Sequence, residues 1–290
     1  MKQRSILALV FLLLIFLGAL LWLVFPEIQI LARPNRIGLI EIEGMIDDVQ
    51  ETLKDLVKFR KDPNVKAIVM RVESPGGAVG PSQELYRELK RTRDTKPVVA
   101  SLGAVAASGG YYIASATSRI VASPGTVTGS IGVIVYYPNL RGFFEKIGYS
   151  MTAIKTGQYK DLGNPDREMT AEEKALLKTT LDEVHRQFIQ DVSQGRNLSP
   201  EKISGVADGR ILTGESAKAL GLVDELGNFE DALRTAATMG KIVGEPKLIY
   251  AKKKKFSILG WLLGTELSSQ IKSYSSSFNC VRYQAPLAPW

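Results

Sequence analysis

Two glycine-rich turns carry the residue types from which an acyl-transfer site is built. The first is Pro75-Gly76-Gly77, directly after the β-rich run Val65–Val72. Glycines there let backbone N–H groups face outward with no Cβ in the way. Two such donors can hold a developing oxyanion, and losing one commonly costs about 3–4 kcal/mol of transition-state stabilisation. The second is Ala107-Ser108-Gly109-Gly110, which follows an apolar strand and is predicted to open a helix. A serine at a helix N-terminus lies in positive partial charge, which favours an attacking oxygen and an anionic intermediate. Small residues before a helix also serve close packing, so neither turn alone assigns a nucleophile.

A serine hydroxyl needs a base to attack. The chain has one histidine, His185, so a Ser-His-Asp triad would have to use it. It falls in Asp182-Glu183-Val184-His185-Arg186-Gln187, among charged neighbours, as a solvated helix residue would. The other option is a lysine. At an ordinary pKa of ~10.4, only about 0.04% of lysine is neutral at pH 7. Burial disfavours the ammonium and lowers that pKa, so a Ser-Lys pair requires a desolvated lysine, often helped by a second hydroxyl. Composition does not single out which lysine. The single cysteine, Cys280, and the single histidine exclude an intrachain disulfide, a Cys-based zinc site and any site with two or more His ligands.

The elements that must position these turns alternate. Ile37–Gly44 reads as an apolar strand ending in a turn, Asp47–Arg60 as a helix, Val65–Val72 as a second strand, Pro81–Thr95 as a charged amphipathic helix and Pro97–Leu102 as a third strand. Arg119–Ala122 and Ser130–Val135 are further short strands, and Met151–Thr156 is strand-like. Thr170 and Glu173 have capping-box spacing and start a long helix that runs to about Gln194. Phe229–Met239 is the last core helix. Strands apolar on both faces, alternating with helices, predict a largely parallel α/β core.

The ends differ from this core. Ile6–Phe25 is uncharged and, at 1.5 Å per residue, spans roughly 30 Å, the hydrocarbon thickness of a bilayer. Lys2 and Arg4 precede it, and the large side chains of Leu23-Val24-Phe25 stand where a signal-peptide cleavage site needs small ones. Residues 1–27 are therefore expected to be a cytoplasmic tail and retained signal-anchor, 28–36 a linker, 37–250 the catalytic domain and 251–290 a basic and apolar tail. The catalytic domain is expected on the exported side of the cytoplasmic membrane. Lys252–Lys255 with the apolar Phe256–Gly264 suits an anionic membrane surface, and equally a disordered or partner-docked tail. The chain carries 37 Lys+Arg against 30 Asp+Glu, a net charge of +7, which a basic flank near a membrane accounts for. No aromatic-interleaved basic module appears, so nucleic acid is not an expected partner.

Taken together and in order, several stretches between Ile37 and Met239 resemble the short form of the signal peptide peptidase A family of serine proteases, relatives of the Clp protease and crotonase fold. Glu73–Gly77 resembles the family's oxyanion turn, Ala106–Ala114 its nucleophile segment and Gly129–Val133 the strand with an auxiliary serine. Tyr159-Lys160-Asp161 followed by Arg167–Thr170 resembles the lysine loop, and Asp208–Gly214 and Gly221–Asp224 complete the pattern. The resemblance implies an α/β Clp protease/crotonase-like core of repeated β-β-α units, preceded by one transmembrane helix. It implies Ser108 as nucleophile, Lys160 as general base and Ser130 as the serine that hydrogen-bonds the lysine. It implies the Gly77 amide as one oxyanion donor, with the Ser108 or the Gly109 amide as the second. Lys155 is read as a solvated neighbour of Lys160. The implied activity is cleavage of signal peptides and other apolar extended peptides, with no metal or cofactor, in a homo-oligomer whose lysine is donated across a subunit boundary. The membrane lipid would be met through the anchor.

Two other readings share the fold. A crotonase-type enzyme uses paired amides to hold an acyl-CoA enolate and needs no serine nucleophile. A membrane scaffold would have kept the fold without the activity. Fluorophosphonate labelling that is lost in Ser108→Ala separates the peptidase from both.

Overall fold

The computed structural model describes residues 12–20, 35–251 and 282–284. Residues 12–20 form an exposed helix, α1, and no helix among the described residues is long and apolar enough to cross a membrane. The rest of the expected anchor, the linker up to Pro34, and residues 252–281 with the expected membrane-surface segment lie outside the described residues.

The strands are β1 (Arg36–Glu43), β2 (Val65–Ser74), β3 (Gly76–Ala78), β4 (Val98–Ala107), β5 (Arg119–Ala122), β6 (Val127–Gly129), β7 (Ile211–Thr213), β8 (Glu225–Leu226), β9 (Lys247–Tyr250) and β10 (Arg282–Gln284). The helices after α1 are α2 (Gln50–Lys61), α3 (Val79–Arg93), α4 (Gly109–Ser115), α5 (Arg141–Lys146), α6 (Ala171–Arg196), α7 (Pro200–Ser204), α8 (Gly214–Ala219) and α9 (Phe229–Met239). Eight strands make one sheet along β7-β6-β4-β2-β1-β9, with β5 joining β4 to β8. Every pairing in it is parallel except β6 with β7.

Side-chain alternation along the central strands explains why both faces are covered. Ile68, Met70 and Val72 of β2 enter one core, while Ala67 and Val69 enter the other. The same split divides Ile40 and Ile42 from Ile37 and Leu39 on β1. Period-two alternation with both sets apolar forces a layer of helices on each side. Helices α3, α4 and α6 supply Leu85, Tyr112 and Phe188 to the larger core, and α9 covers the other face with Leu233 and Ala236. The long helix α6 opens with the expected capping box at Thr170 and Glu173.

Two expected strands are absent. The predicted strand Ser130–Val135 lies three residues too late: β6 ends at Gly129, because Ser130 adopts φ 51° and sends its N–H to the Arg210 carbonyl. Only Ile134 makes a bridge beyond it. Met151–Thr156 is irregular and exposed, so its alternation of apolar and polar residues finds no sheet edge to join.

Candidate active site

Strand β4 delivers Ser108 to the mouth of α4. Its last half faces β6, with Ala107 opposite Gly129, and the chain then turns sharply at Ser108 (φ 51°, ψ −114°). A non-glycine residue at positive φ is strained. The surroundings that hold it are the buried helix α4 and the bond from the Ser108 N–H to the Gly129 carbonyl at 2.8 Å. The side chain is fully buried, and its Oγ has no hydrogen-bond partner among the described residues. A buried hydroxyl left unpaired costs free energy, and such sites gather where chemistry needs a free group.

The glycine turn packs directly against this serine. Ser74 Oγ accepts from the Gly76 N–H at 3.1 Å and fixes the turn. Ile46 N–H donates to the Gly76 carbonyl and Ala78 N–H donates to the Ile46 carbonyl, each at 2.9 Å. Since strand amides alternate in direction, the Gly77 N–H faces away from Ile46, toward β10. A Cβ on Gly109 would sit 3.1 Å from the Gly77 nitrogen and one on Gly110 would sit 2.7 Å from the Ser74 carbonyl oxygen, so only glycine permits this approach. The Ser108 amide is committed to Gly129, which leaves Gly77 and Gly109 as the amides available beside the serine.

Ser130 is buried, follows the residue to which Ser108 is bonded, and repeats its positive φ of 51°. It lines a cleft of about 390 Å³ together with Gly132, Ile134, Asp182, His185 and Asp208. His185 was expected to be solvated; instead its Nε2 is buried in this cleft without a hydrogen-bond partner. It does not contact Ser108 Oγ by a hydrogen bond, since that oxygen has none.

Lys160 is not brought to Ser108 within one chain. It is exposed, in a turn closed by its N–H to the Gly157 carbonyl at 3.1 Å. The loop around it is tied by charge. Lys155 Nζ pairs with Asp161 and donates to the Gln158 carbonyl at 3.0 Å, so it is a structural ion-pair member rather than the solvated residue expected. Arg167 bridges Asp161 at 3.2 Å and Glu173 at 2.6 Å. Hydrogen bonds from Lys155 and Arg167 hold the Asp161 carboxyl down at about 2, and those from Arg167 and the Thr170 N–H hold Glu173 at about 2. On this same arm Tyr136, Phe143, Ile147, Tyr149 and Ile154 are exposed, Ile154 at 98%.

Two features escaped the sequence reading. Ser74 is one of many serines, and nothing in its spacing marks it as the clamp of the glycine turn. Arg282–Gln284 pairs antiparallel with β3, Tyr283 opposite Gly77. No periodicity in the basic and apolar tail signalled a three-residue strand. No group of three or more His, Cys, Asp or Glu residues placed to hold a metal occurs among the described residues.

A strained, buried serine at a helix start, flanked by glycine amides on a parallel sheet, defines the peptidase class within the Clp protease and crotonase fold. The chain belongs to peptidase family S49, whose model matches residues 90–243, the Ser-Lys protease family that includes signal peptide peptidase A. A protease-named protein of Synechocystis sp. is 44% identical over 206 residues, covering 71% of this chain and 74% of that one. Protease 4 of Salmonella typhi is 38% identical over 216 residues, 71% of this chain and 35% of that protein. The chloroplastic serine protease SPPA of Arabidopsis thaliana is 34% identical over 206 residues, 71% of this chain and 30% of that protein.

Proposed function

We propose that this peptidase is a membrane-anchored serine endopeptidase in which Ser108 is the nucleophile and Lys160 the general base. The observation that carries the reading is Ser108 itself: a strained, fully buried serine with an unpartnered Oγ, beside the Gly77 and Gly109 amides. Neutral Lys160 takes the Ser108 proton as Oγ attacks a peptide carbonyl, and Ser130 hydrogen-bonds the amine. The tetrahedral oxyanion rests on the Gly77 and Gly109 N–H groups. Lys160 returns the proton to the leaving amine, and water hydrolyses the acyl-enzyme. No metal or cofactor takes part in these steps.

The lysine comes from a neighbouring copy in a homo-oligomer. Support for this is the exposed position of Lys160 on an arm whose large apolar side chains are uncovered in the single chain. Contiguous exposed apolar surface is the mark of an association site. The cleft beside Ser130 is open to receive the incoming amine, which burial between subunits would strip of water and make neutral. The substrates are cleaved signal peptides and other apolar extended peptides, added as a strand beside β3. The catalytic domain lies on the exported side of the cytoplasmic membrane, held by residues 1–27.

Mixing inactive variants tests this. Ser108→Ala and Lys160→Ala proteins, each without peptide cleavage alone, regain activity when their subunits are exchanged, because mixed oligomers contain sites with both intact groups. If exchanged mixtures of confirmed composition stay inactive, the shared site is wrong. Fluorophosphonate labelling of wild type but not Ser108→Ala tests the nucleophile separately.

A further inference from the structure

The groove that would take a substrate strand is already filled by the chain's own β10. We propose that Arg282–Gln284 is an internal competitor of substrate, with Tyr283 in the place of the residue whose carbonyl is attacked; this rests on Ser108 being the nucleophile.

Backbone geometry puts the strand there on both sides. On one side β10 runs antiparallel to β3, with Tyr283 opposite Gly77. On the other, Arg282 and Ile134 exchange both backbone hydrogen bonds at 3.0 Å. A peptide held as a middle strand between two edges is the arrangement of β-strand addition. A Cβ on Gly76 would sit 1.9 Å from the Tyr283 carbonyl oxygen and 2.9 Å from the Gly109 nitrogen. The Tyr283 carbonyl, the Gly77 amide that faces β10 and the Gly109 amide therefore converge on one spot, which is where an attacked carbonyl would lie.

The side chains fit the same role. The Tyr283 ring is fully buried in a box of aromatic rings, with centroids 4.4 Å from Phe188 and 5.0 Å from Tyr112. Tyr86 closes the box against Tyr112 at 4.8 Å. Arg282, itself buried, reaches Asp47 at 3.4 Å. The box reads out one side chain, and its walls select a large planar ring. The substrate class follows: peptides with an aromatic residue before the cleaved bond, which must displace Tyr283 to bind.

Two measurements on the full chain test this. In a Cys280→Ser background, Ile134→Cys with Arg282→Cys forms an intrachain disulfide on mild oxidation, because an exchanged pair has a Cα spacing of about 5.5 Å, within disulfide range. In steady-state cleavage of a quenched peptide with phenylalanine before the scissile bond, Tyr283→Asp lowers KM about tenfold at unchanged kcat, since occupancy by the tail scales the apparent affinity. Tyr283→Phe keeps the wild-type KM. Failure of the disulfide overturns the docking. A disulfide with equal KM in wild type and Tyr283→Asp overturns the competition while leaving the peptidase reading intact. A disulfide with no Ser108 labelling in any variant overturns the nucleophile, and the competition with it.

Discussion

Ser108 and Ser130 share a backbone conformation and are joined through one peptide unit. Both have φ of 51°, and the Ser108 N–H donates to the carbonyl of Gly129, the residue before Ser130, at 2.8 Å. A side chain in this region costs roughly 1–2 kcal/mol that glycine does not incur. Glycine at either position therefore stabilises the fold relative to alanine there, by about 1 kcal/mol. Activity moves the other way: Ser108→Gly abolishes peptide cleavage and Ser130→Gly lowers kcat by about 10²-fold, the usual worth of an assisting proton-transfer group. Paired thermal melts and kinetics check this. Glycine variants that melt below their alanine counterparts would show that the strain is not there.

The lysine loop should be held by its charges. Asp161 and Glu173 both titrate at about 2, below their ordinary values near 4, because Lys155 and Arg167 donate to them. A depressed carboxylate contributes order that is fully present above its unfolded pKa and is lost as pH falls through its folded one. The loop is thus expected to stay ordered from pH 7 down to about 4 and to loosen between about 4 and 2. Amide exchange at residues 155–168 across that range measures it. Lys155→Ala loosens the loop at neutral pH and lowers activity severalfold, whereas Lys160→Ala abolishes it.

How far this site could be foreseen depended on the range of the interactions. Ser108, Gly77 and Lys160 stand in stretches whose local order resembles a known family, and the strands around them are signalled by apolar runs. Ser130 was placed on the right turn, yet the strand expected to follow it was not formed, because the Arg210 carbonyl captures its N–H from far along the chain. The burial of His185 Nε2 and the seat of Tyr283 are set by contacts between segments about a hundred residues apart. Neither has a local pattern, so single-residue spacing carried no trace of them. Whether Lys160 becomes desolvated depends on a second copy, which no one-chain pattern encodes.

Close approach at the glycine turn gives a steric prediction. A Cβ on Gly110 would meet the Ser74 carbonyl oxygen at 2.7 Å, a backbone atom that cannot rotate away. Gly110→Ala must push α4 off the β2–β3 junction and tilt the Ser108 Oγ. Overpacking of this kind costs about 1–3 kcal/mol. Urea unfolding should show that loss, and fluorophosphonate labelling of the folded fraction should slow by at least about tenfold. Gly125→Ala, where a Cβ meets nothing within 4 Å, serves as the control and should change neither.

Asp224 offers a test of stability that leaves the chemistry alone. It accepts from the Ile120 N–H at 2.7 Å and pairs with Arg196 at 2.9 Å and Arg119 at 3.1 Å, tying β5 to the end of α6. Burial alone would raise its pKa, but Arg196, the Ile120 N–H and Arg119 together outweigh that and hold it below the ordinary carboxylate value. Arg196 is itself nearly buried, so removing its partner strands a cation: Asp224→Ala should cost about 3–5 kcal/mol. Since the folded pKa is depressed, the contribution persists above about pH 4 and fades as the pH falls toward the folded value. The difference in unfolding free energy between wild type and Asp224→Ala should therefore shrink below pH 4. Peptide cleavage per folded molecule at neutral pH should be unchanged; a large fall in kcat with a normal melt would instead tie Asp224 to the reaction.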